Sequence, residues 1–365
     1  MSRPTEIVID LDALRQNCRL AKSLSGGGRV VAVVKADAYG HGAADIALTI
    51  EPEVSMFAVS CMEEAISLRK QGVSLPILLL EGCFSVDEYE IALKQNMQIV
   101  VHSAEQVRQL QDVDLSSKLK VWLKVDSGMH RLGVLPESLQ DVYKKLSELE
   151  TVESIVLMTH LASADAQTKA FTEMQLNRFQ NAVEALDLTD SNLLQKSIAN
   201  SAALLNWPKS RAEWNRPGLM LYGLSPFEFS HPQASKLSPV MTFCSQVIAV
   251  RKIDTGESVG YGNTWTASKP SVIATIAVGY GDGYPRTAKS GTPVLINGQR
   301  CPVAGRVSMD MISVDVTGLD CVIPGDKVEL WGKELDVNEV AAYAGSIGYE
   351  LVTRMPKRTK RRFIG

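Results

Sequence analysis

A lysine stands at the end of a short apolar run near the start of the chain, and a glycine-rich turn follows it. The run covers residues 30–34, the lysine is Lys35, and the turn continues through Tyr39 to Gly42. A lysine desolvated at the end of a buried strand loses affinity for its proton, and its free amine can form a Schiff base with a carbonyl compound. On this segment alone, a lysine that simply extends from the strand end into water is an equally good interpretation.

Apolar runs alternate with amphipathic helical patterns through most of the chain. Strands are expected at 30–34, 56–60, 76–80, 97–102, 120–125, 154–160, weakly at 196–199, and at 218–222; helices are expected at 12–24, 61–71, 85–95, 103–110, 136–149 and 166–185. Such alternation predicts a parallel sheet with helical crossovers. The number of strand–helix units in this part of the chain favours a closed (β/α)8 TIM-type barrel over an open doubly wound sheet, which would usually have fewer strands. Because barrel active sites lie at the carboxyl ends of the strands, Lys35 stands where a catalytic residue would.

The pattern changes after Pro226. Strand-like runs separated by Gly, Pro, Asn and Asp turns occupy 241–251, 271–278, 292–296, 311–316 and 327–330. These runs predict a mostly β C-terminal domain in an α/β protein. We therefore expect a barrel in residues 1–230 and the β domain in residues 231–365. A further strand at 6–9 precedes the first helix and is expected to pair outside the barrel.

Composition excludes several classes of protein. The chain has 365 residues and a formal net charge of -3, which gives no general attraction for nucleic acid or an anionic membrane. No apolar stretch is long enough to span a membrane, and no signal peptide is recognisable. The six cysteines are scattered without a CxxC pair, so we expect no metal site and a cytoplasmic location. Residues 354–362 form a basic tail without acids, interpreted as a solvated or phosphate-facing terminus.

Eight short segments, spread over both predicted domains, carry residue types suited to binding and proton transfer. They are Lys35-Ala-Asp-Ala-Tyr39-Gly-His-Gly42, Lys124-Val-Asp-Ser-Gly-Met-His-Arg131-Leu-Gly133, Met158-Thr-His160-Leu-Ala-Ser-Ala-Asp165, Ala199-Asn200-Ser201-Ala-Ala, Arg216-Pro-Gly218-Leu219-Met-Leu-Tyr222-Gly, Gly260-Tyr261-Gly262, Ala277-Val-Gly-Tyr280-Gly-Asp-Gly-Tyr-Pro-Arg286 and Gly305-Arg-Val-Ser-Met309-Asp310. Their types and order resemble the signatures of the pyridoxal-phosphate-dependent alanine racemases of fold type III. The resemblance spans nearly the whole chain. It implies a barrel followed by a β domain, and a homodimer whose active sites form where the barrel of one subunit meets the β domain of the other.

Racemisation removes the Cα proton of an amino acid and returns one on the opposite face, so two acid/base groups are needed. The resemblance implies that Lys35 holds pyridoxal phosphate as a Schiff base and, once freed, acts on the D-side proton. It implies that Tyr261 of the partner's β domain acts on the L-side proton. A phenol with an ordinary pKa of about 10 is a poor base at neutral pH, so its surroundings must favour the phenolate.

The resemblance also assigns residues that bind the cofactor. Arg216 matches the arginine that meets the pyridine nitrogen, where it keeps the ring unprotonated and limits transamination. His160 matches a histidine that orients this arginine and the catalytic tyrosine. The phosphate is expected to bind Tyr39, Ser201 and the backbone amides of Gly218 and Leu219, with Asn200 alongside.

Substrate binding is implied for a further set. Arg131 resembles an arginine that reaches the cofactor's phenolic oxygen and the alanine carboxylate, and Lys124 matches a lysine that is carbamylated in some members. Met309 is expected to offer its backbone N–H to the substrate carboxylate, with Asp310 as a supporting residue. Tyr280 matches an aromatic residue that narrows the entrance.

The chain departs from the family pattern near its end. Some members have a second tyrosine that contacts the phosphate several residues after the position of Tyr349, and no tyrosine follows Tyr349 here. We hypothesise that Lys357 or Arg358 compensates.

Three other functions are compatible with parts of the sequence pattern. A broad-specificity amino-acid racemase would use the same machinery, although Tyr280 and the Met309 loop should limit the size of the side chain. Non-catalytic pyridoxal-phosphate carriers lack the β domain, and a decarboxylase of related architecture is disfavoured by Arg216. Whether the enzyme makes D-alanine for the cell wall or degrades alanine stays open.

Overall fold

A computed structural model describes residues 3–187 and 194–365 of the chain. Its strands are β1 (Glu6–Asp10), β2 (Arg29–Val33), β3 (Met56–Val59), β4 (Ile77–Leu79), β5 (Met97–Val101), β6 (Leu119–Lys124), β7 (Val152–Met158), β8 (Gln195–Ser197), β9 (Trp214–Asn215), β10 (Met241–Ile253), β11 (Ser258–Val259), β12 (Trp265–Thr266), β13 (Ser271–Ile276), β14 (Pro293–Ile296), β15 (Gln299–Pro302), β16 (Ile312–Asp315), β17 (Lys327–Trp331) and β18 (Lys360–Ile364).

Its helices are α1 (Leu11–Leu24), α2 (Lys35–Gly40), α3 (Ala43–Ile50), α4 (Met62–Lys70), α5 (Asp87–Lys94), α6 (Ala104–Asp112), α7 (Leu139–Ser147), α8 (Ala170–Glu184), α9 (Ser201–Asn206), α10 (Val337–Ala344) and α11 (Gly348–Thr353). Short 3-10 turns include Leu219–Tyr222, Tyr261–Asn263 and Tyr280–Asp282. None of the described helices combines the length and apolar character that a membrane span requires.

The chain divides into two compact units. The barrel unit comprises Arg15–Ala38 and Ala43–Leu237. The β unit comprises Ser238–Gly365, the start of the chain up to Leu14, and the four residues Tyr39–Gly42. The predicted domain boundary between residues 230 and 231 stays a prediction.

The barrel unit is built on strands β2 to β9, which are parallel and close into a barrel in chain order. All residues of β3, β4 and β5 are buried because these strands are covered on both faces, and all of them except Gln98 in β5 are apolar. Helices such as α4 bury one face, formed there by Met62, Ala65 and Leu68. The predicted TIM-type barrel is confirmed.

The last barrel strand differs from the prediction. Strand β9 is only two residues long, Trp214–Asn215, and closes the barrel between β8 and β2. The strand predicted at 218–222 is wrong, because Leu219–Tyr222 forms a 3-10 turn that Gly223 ends with a φ of +80°. This turn is fully buried, so its apolar residues gave the same signal as a strand; a short apolar run does not distinguish the two.

The β unit contains an eight-stranded sheet. Its main order is β15-β14-β17-β10-β1-β18, with β13 joining β10 to β16. The strand predicted at 6–9 does pair outside the barrel, since β1 lies between β10 and β18. The basic tail supplies the edge strand β18, in which Arg362 pairs with Glu6 of β1. Charged residues suit an edge strand because they discourage pairing with other chains. The strand itself was not predicted.

Candidate active site

Lys35 begins an unusual turn at the carboxyl end of β2 in the barrel. The next four residues, Ala36 to Tyr39, have φ values between +51° and +55°, so the turn is left-handed. Left-handed backbone costs about 1–2 kcal/mol for each residue that carries a Cβ. A run of four such residues persists only where its surroundings hold it, and such strain concentrates at functional sites.

Two carboxylates hold the part of this turn that belongs to the barrel unit. Glu64 accepts hydrogen bonds from the backbone N–H groups of Ala36 at 2.7 Å and Ser60 at 2.8 Å. Asp37 accepts one from the N–H of Ala43 at 2.9 Å, at the start of α3. Hydrogen bonds to charged acceptors are stronger than neutral ones, so these contacts offset part of the backbone strain. They fix the backbone from which the Lys35 side chain extends.

A cluster of positive charges surrounds Lys124, which is buried at the carboxyl end of β6. Burial, together with the positive charges of Arg216, Arg131 and Lys35, lowers the pKa of Lys124 to about 8. Among the main causes of the shift, only the negative charge of Asp126 raises the pKa. Four cations gathered around one acid favour the binding of an anion, such as a phosphate or a carboxylate.

Arg216 is buried within the barrel unit, and hydrogen bonds to neighbouring groups fix the orientation of its guanidinium. Its Nη1 donates to Ser197 Oγ at 2.5 Å, and its Nη2 donates to the backbone oxygen of Thr159 at 2.6 Å. Burial lowers the pKa of Arg216 to about 10, which still leaves the guanidinium protonated at neutral pH. The side chain is therefore a fixed hydrogen-bond donor that does not readily release a proton.

His160 follows strand β7 and lies close enough to Arg216 for their charges to interact. Burial lowers the pKa of His160 well below its usual 6.5, and the charges of Arg216 and Lys124 act in the same direction. Its ring is thus neutral at pH 7. Over residues 3–187 and 194–365, no hydrogen bond joins the His160 ring to Arg216; the main-chain oxygen of His160 accepts one from Gln175 Nε2 at 3.2 Å.

Ser201 brings two of the predicted phosphate-binding segments together. Asn200 caps helix α9 through a hydrogen bond from Ala203 N to its Oδ1 at 3.0 Å. The next residue, Ser201, accepts hydrogen bonds at its Oγ from the backbone N–H of Gly218 at 2.9 Å and of Met220 at 3.3 Å. Because the oxygen accepts both, the hydroxyl hydrogen of Ser201 can be donated to an anion.

In the β unit, Tyr39 lies beside Tyr349, with 6.4 Å between the ring centroids. Burial raises the pKa of Tyr39 to about 12, so its hydroxyl stays protonated and can act as a donor. Gly40 follows at a φ of +80°, and a Cβ there would come within 1.9 Å of the backbone oxygen of Val352. Only glycine fits this close approach.

Tyr261, the predicted second base, opens a 3-10 turn between Gly260 and Gly262, whose φ values are +77° and +72°. Its side chain is 73% exposed in the single chain. Tyr280 and Met309 lie together in the same unit, since Tyr280 N donates to Ser308 O at 3.0 Å and Gly281 N donates to Met309 O at 2.9 Å.

Thus the predicted site residues fall into two groups. The barrel unit contains Lys35, Lys124, Arg131, His160, Asn200, Ser201, Arg216, Gly218 and Leu219. The β unit contains Tyr39, Tyr261, Tyr280, Met309 and Asp310.

Sequence reasoning missed several residues that support these groups. Glu64 and Ser197 hold the Lys35 turn and Arg216, and Asp282 binds Arg358. Asp282 lies within one of the eight segments that resemble the family, but the resemblance assigns it no role. Arg358 donates to the carboxylates of Asp282 and Asp310, and the hypothesis that Lys357 or Arg358 meets the phosphate stays a prediction.

Comparison with known proteins agrees with these observations. The family model described as alanine racemase, N-terminal domain, matches residues 9–226, and the alanine racemase C-terminal domain matches residues 240–363. Alanine racemase of Pseudoalteromonas atlantica is 50% identical, with all of both chains covered. The catabolic alanine racemase of Pseudomonas putida is 46% identical, covering 100% of this chain and 99% of its own.

Solved structures give the same result. The crystal structure of biosynthetic alanine racemase from Pseudomonas aeruginosa superposes with a TM-score of 0.95 at 44% identity, with both chains fully covered. Alanine racemase from Acinetobacter baumannii gives a TM-score of 0.92 at 39% identity over the whole of both chains. The resemblance seen in the motifs is confirmed, and the chain belongs to the alanine racemase family of isomerases.

Proposed function

We propose that this member of the alanine racemase family interconverts L- and D-alanine on pyridoxal phosphate, with Lys35 and Tyr261 as its two bases. The observation that carries the proposal is the position of Lys35, held at the carboxyl end of a barrel strand and gathered with Arg131 and Arg216 around the buried Lys124. A lysine in such surroundings is suited to covalent chemistry with a carbonyl group.

The residues present fit pyridoxal phosphate. The amine of Lys35 would bind its aldehyde, and Arg216 would donate to its ring nitrogen beside His160. The phosphate would meet Tyr39, Ser201 and the amides of Gly218 and Leu219, with Asn200 alongside. The protonated phenol of Tyr39, the hydroxyl of Ser201 and the cationic cluster are all suited to an anion. When bound, the cofactor delocalises the charge that develops at Cα of the substrate.

Arg216 would control the direction of the chemistry. Its guanidinium is protonated at neutral pH and held on both sides by Ser197 and Thr159, so it donates a hydrogen bond without giving up its proton. A ring nitrogen that stays unprotonated withdraws electrons less strongly. Return of a proton to Cα is then favoured over transamination.

The two bases would serve opposite faces of Cα. Lys35 would hold and return the D-side proton, and Tyr261 the L-side proton. Arg131 and the backbone N–H of Met309 would bind the alanine carboxylate, while Tyr280 limits the space for a side chain. Because Tyr261 is 73% exposed, the proposal includes a homodimer in which a second copy covers this phenol and shares the active site. It also includes the cytoplasmic location expected from the sequence.

The test is polarimetry of the purified protein with L-alanine and added pyridoxal phosphate. We expect rotation to fall to zero with the wild type and to stay constant with Lys35→Ala. Lys120→Ala is the matched control, because Lys120 lies on the barrel strand β6 but is exposed and pairs with Glu153 on the surface. Cofactor that stays bound after gel filtration without any change in rotation would support a carrier and overturn the proposal. Comparable rates with L-serine would support a broad-specificity racemase.

A further inference from the structure

Asp282 is a buried carboxylate in the β unit that two arginines from opposite ends of the chain hold in place. Only 1% of the residue is exposed. Arg358 donates to Oδ1 from Nε at 2.9 Å and from Nη2 at 2.7 Å, and Arg3 donates to Oδ2 from Nη2 at 2.8 Å. The backbone N–H of Gly279 completes the shell at 2.9 Å from Oδ2. A buried carboxylate needs such partners, because an unpaired one is strongly destabilising.

Both arginines also donate hydrogen bonds to a second residue, Asp310. Arg358 Nη2 also donates to Asp310 Oδ1 at 2.7 Å, and Arg3 Nη2 donates to the backbone oxygen of Asp310. Asp310 follows Met309 directly. The two arginines therefore join the turn that contains Tyr280 to the loop that contains Met309. The rigid, planar fork of a guanidinium fixes both distance and direction in such a bridge.

The turn and the loop also approach each other through their backbones. A Cβ on Gly279 would lie 2.3 Å from Ser308 O and 2.4 Å from Met309 O. A Cβ on Gly281 would lie 2.9 Å from the guanidinium carbon of Arg358. Only glycine permits the packing at Gly279, where the neighbouring atoms belong to the backbone of Ser308 and Met309; at Gly281 the neighbour is the end of the Arg358 side chain. The loop of Met309 is thus held against the turn of Tyr280 both by backbone packing at Gly279 and by the two arginines.

We propose that the clamp formed by Arg3, Asp282 and Arg358 is a positioning unit that sets the affinity and selectivity of the enzyme for alanine. The inference rests on the proposed function, in which Met309 binds the substrate carboxylate and Tyr280 limits the side chain. The clamp residues touch neither the substrate nor the cofactor. They act by holding the loop of Met309 against the turn of Tyr280, so that the pocket keeps its width.

The test compares Arg358→Ala with Arg362→Ala. Both arginines lie in the basic tail and are similarly exposed, 43% and 49% for their side chains, and both pair with a carboxylate. Arg362, however, pairs with Glu6 in the sheet. For Arg358→Ala we expect KM for alanine to rise about threefold to tenfold with little change in kcat, and the kcat/KM ratio of L-serine to L-alanine to rise severalfold. Arg362→Ala should change neither value.

Two further variants cover a failure to fold. Arg358→Lys keeps the charge but not the fork, and Arg3→Ala removes the other arm; each should raise the serine-to-alanine ratio, by less than Arg358→Ala. Unchanged KM and ratio in folded variants would overturn the proposal. Tyr280→Ala separates the two proposals, because a changed ratio there with unchanged ratios in the clamp variants would reject the clamp alone. If the wild type does not racemise alanine, the proposed function fails and the clamp proposal fails with it.

Discussion

The carboxylate of Glu64 lies 2.7 Å from the backbone nitrogen of Ala36, the residue that follows Lys35. This hydrogen bond ties helix α4 to the first left-handed residue of the turn. If it holds Lys35 in place, Glu64→Ala should lower kcat by about tenfold to a hundredfold, because small displacements of a reacting group are costly. Glu64→Gln, which keeps one acceptor oxygen, should show a smaller loss. Steady-state kinetics with alanine measure both.

The neighbouring Glu63→Gln is the control for this prediction, since Glu63 lies on the same helical turn but is exposed to solvent. We expect it to retain wild-type kinetics. Wild-type kcat in Glu64→Ala would show that the turn needs no help from this carboxylate.

Part of this architecture follows from sequence periodicity and part does not. The barrel was predictable because parallel strands buried on both faces are mostly or wholly apolar, as in β3 and β4. Strand β9 was not, because a two-residue strand with a buried Asn215 has neither length nor apolar pattern. The edge strand β18 was missed for a similar reason, since its charged residues resemble a solvated tail.

Ser197 gives a prediction about stability. Its hydroxyl accepts from Arg216 at 2.5 Å and donates to the backbone oxygen of Trp214 at 2.9 Å. Ser197→Ala leaves a buried, charged N–H without its acceptor, so the free energy of unfolding should fall by about 1–3 kcal/mol. Urea denaturation measures this change. Ser235→Ala, which removes an exposed hydroxyl, should have almost no effect, and equal losses in the two variants would count against the role of Ser197.

The depressed pKa of Lys124 predicts how stability depends on pH. The pKa is about 8 in the folded protein and has its ordinary value of 10.5 in the unfolded chain. Between these values the unfolded chain holds a proton that the folded protein has released. The free energy of unfolding therefore rises with pH across this window. As the pH falls towards 8, the buried amine must take up a proton, and the gain in the free energy of unfolding is lost. Lys124→Met should lack this part of the pH dependence in denaturation curves recorded from pH 7.5 to 10.5; identical curves would contradict the prediction.

The same property makes Lys124 reactive towards carbon dioxide. With its pKa lowered to about 8, Lys124 has a larger share of neutral amine near pH 8 than an ordinary lysine, and a carbamate would place a negative charge among Arg131, Arg216 and Lys35. We expect a carbamate signal in the carbon NMR spectrum of the protein incubated with labelled bicarbonate at pH 8. The signal should be absent from Lys124→Met. A signal of equal size in both proteins would assign it to another amine.

Some of the site residues could be predicted from the sequence, and others could not. Lys35 was predictable from its residue type at the end of an apolar strand, whereas the roles of Arg216 and Tyr261 followed only from the resemblance of the motifs to the family. Contacts such as Arg3 with Asp282 join residues 279 positions apart, and no periodicity encodes such a pairing. The supporting residues become visible only once the fold has brought distant segments together.

The central claim, that two bases serve opposite faces of Cα, is tested most directly by following deuterium at Cα in deuterated water. The wild type should exchange the proton of both alanine enantiomers as optical rotation falls to zero. Tyr261→Phe should lose exchange of L-alanine but still exchange D-alanine with its configuration retained, because Lys35 continues to serve that face. If Tyr261→Phe exchanges and racemises both enantiomers at the wild-type rate, Tyr261 is not the second base and the account is wrong.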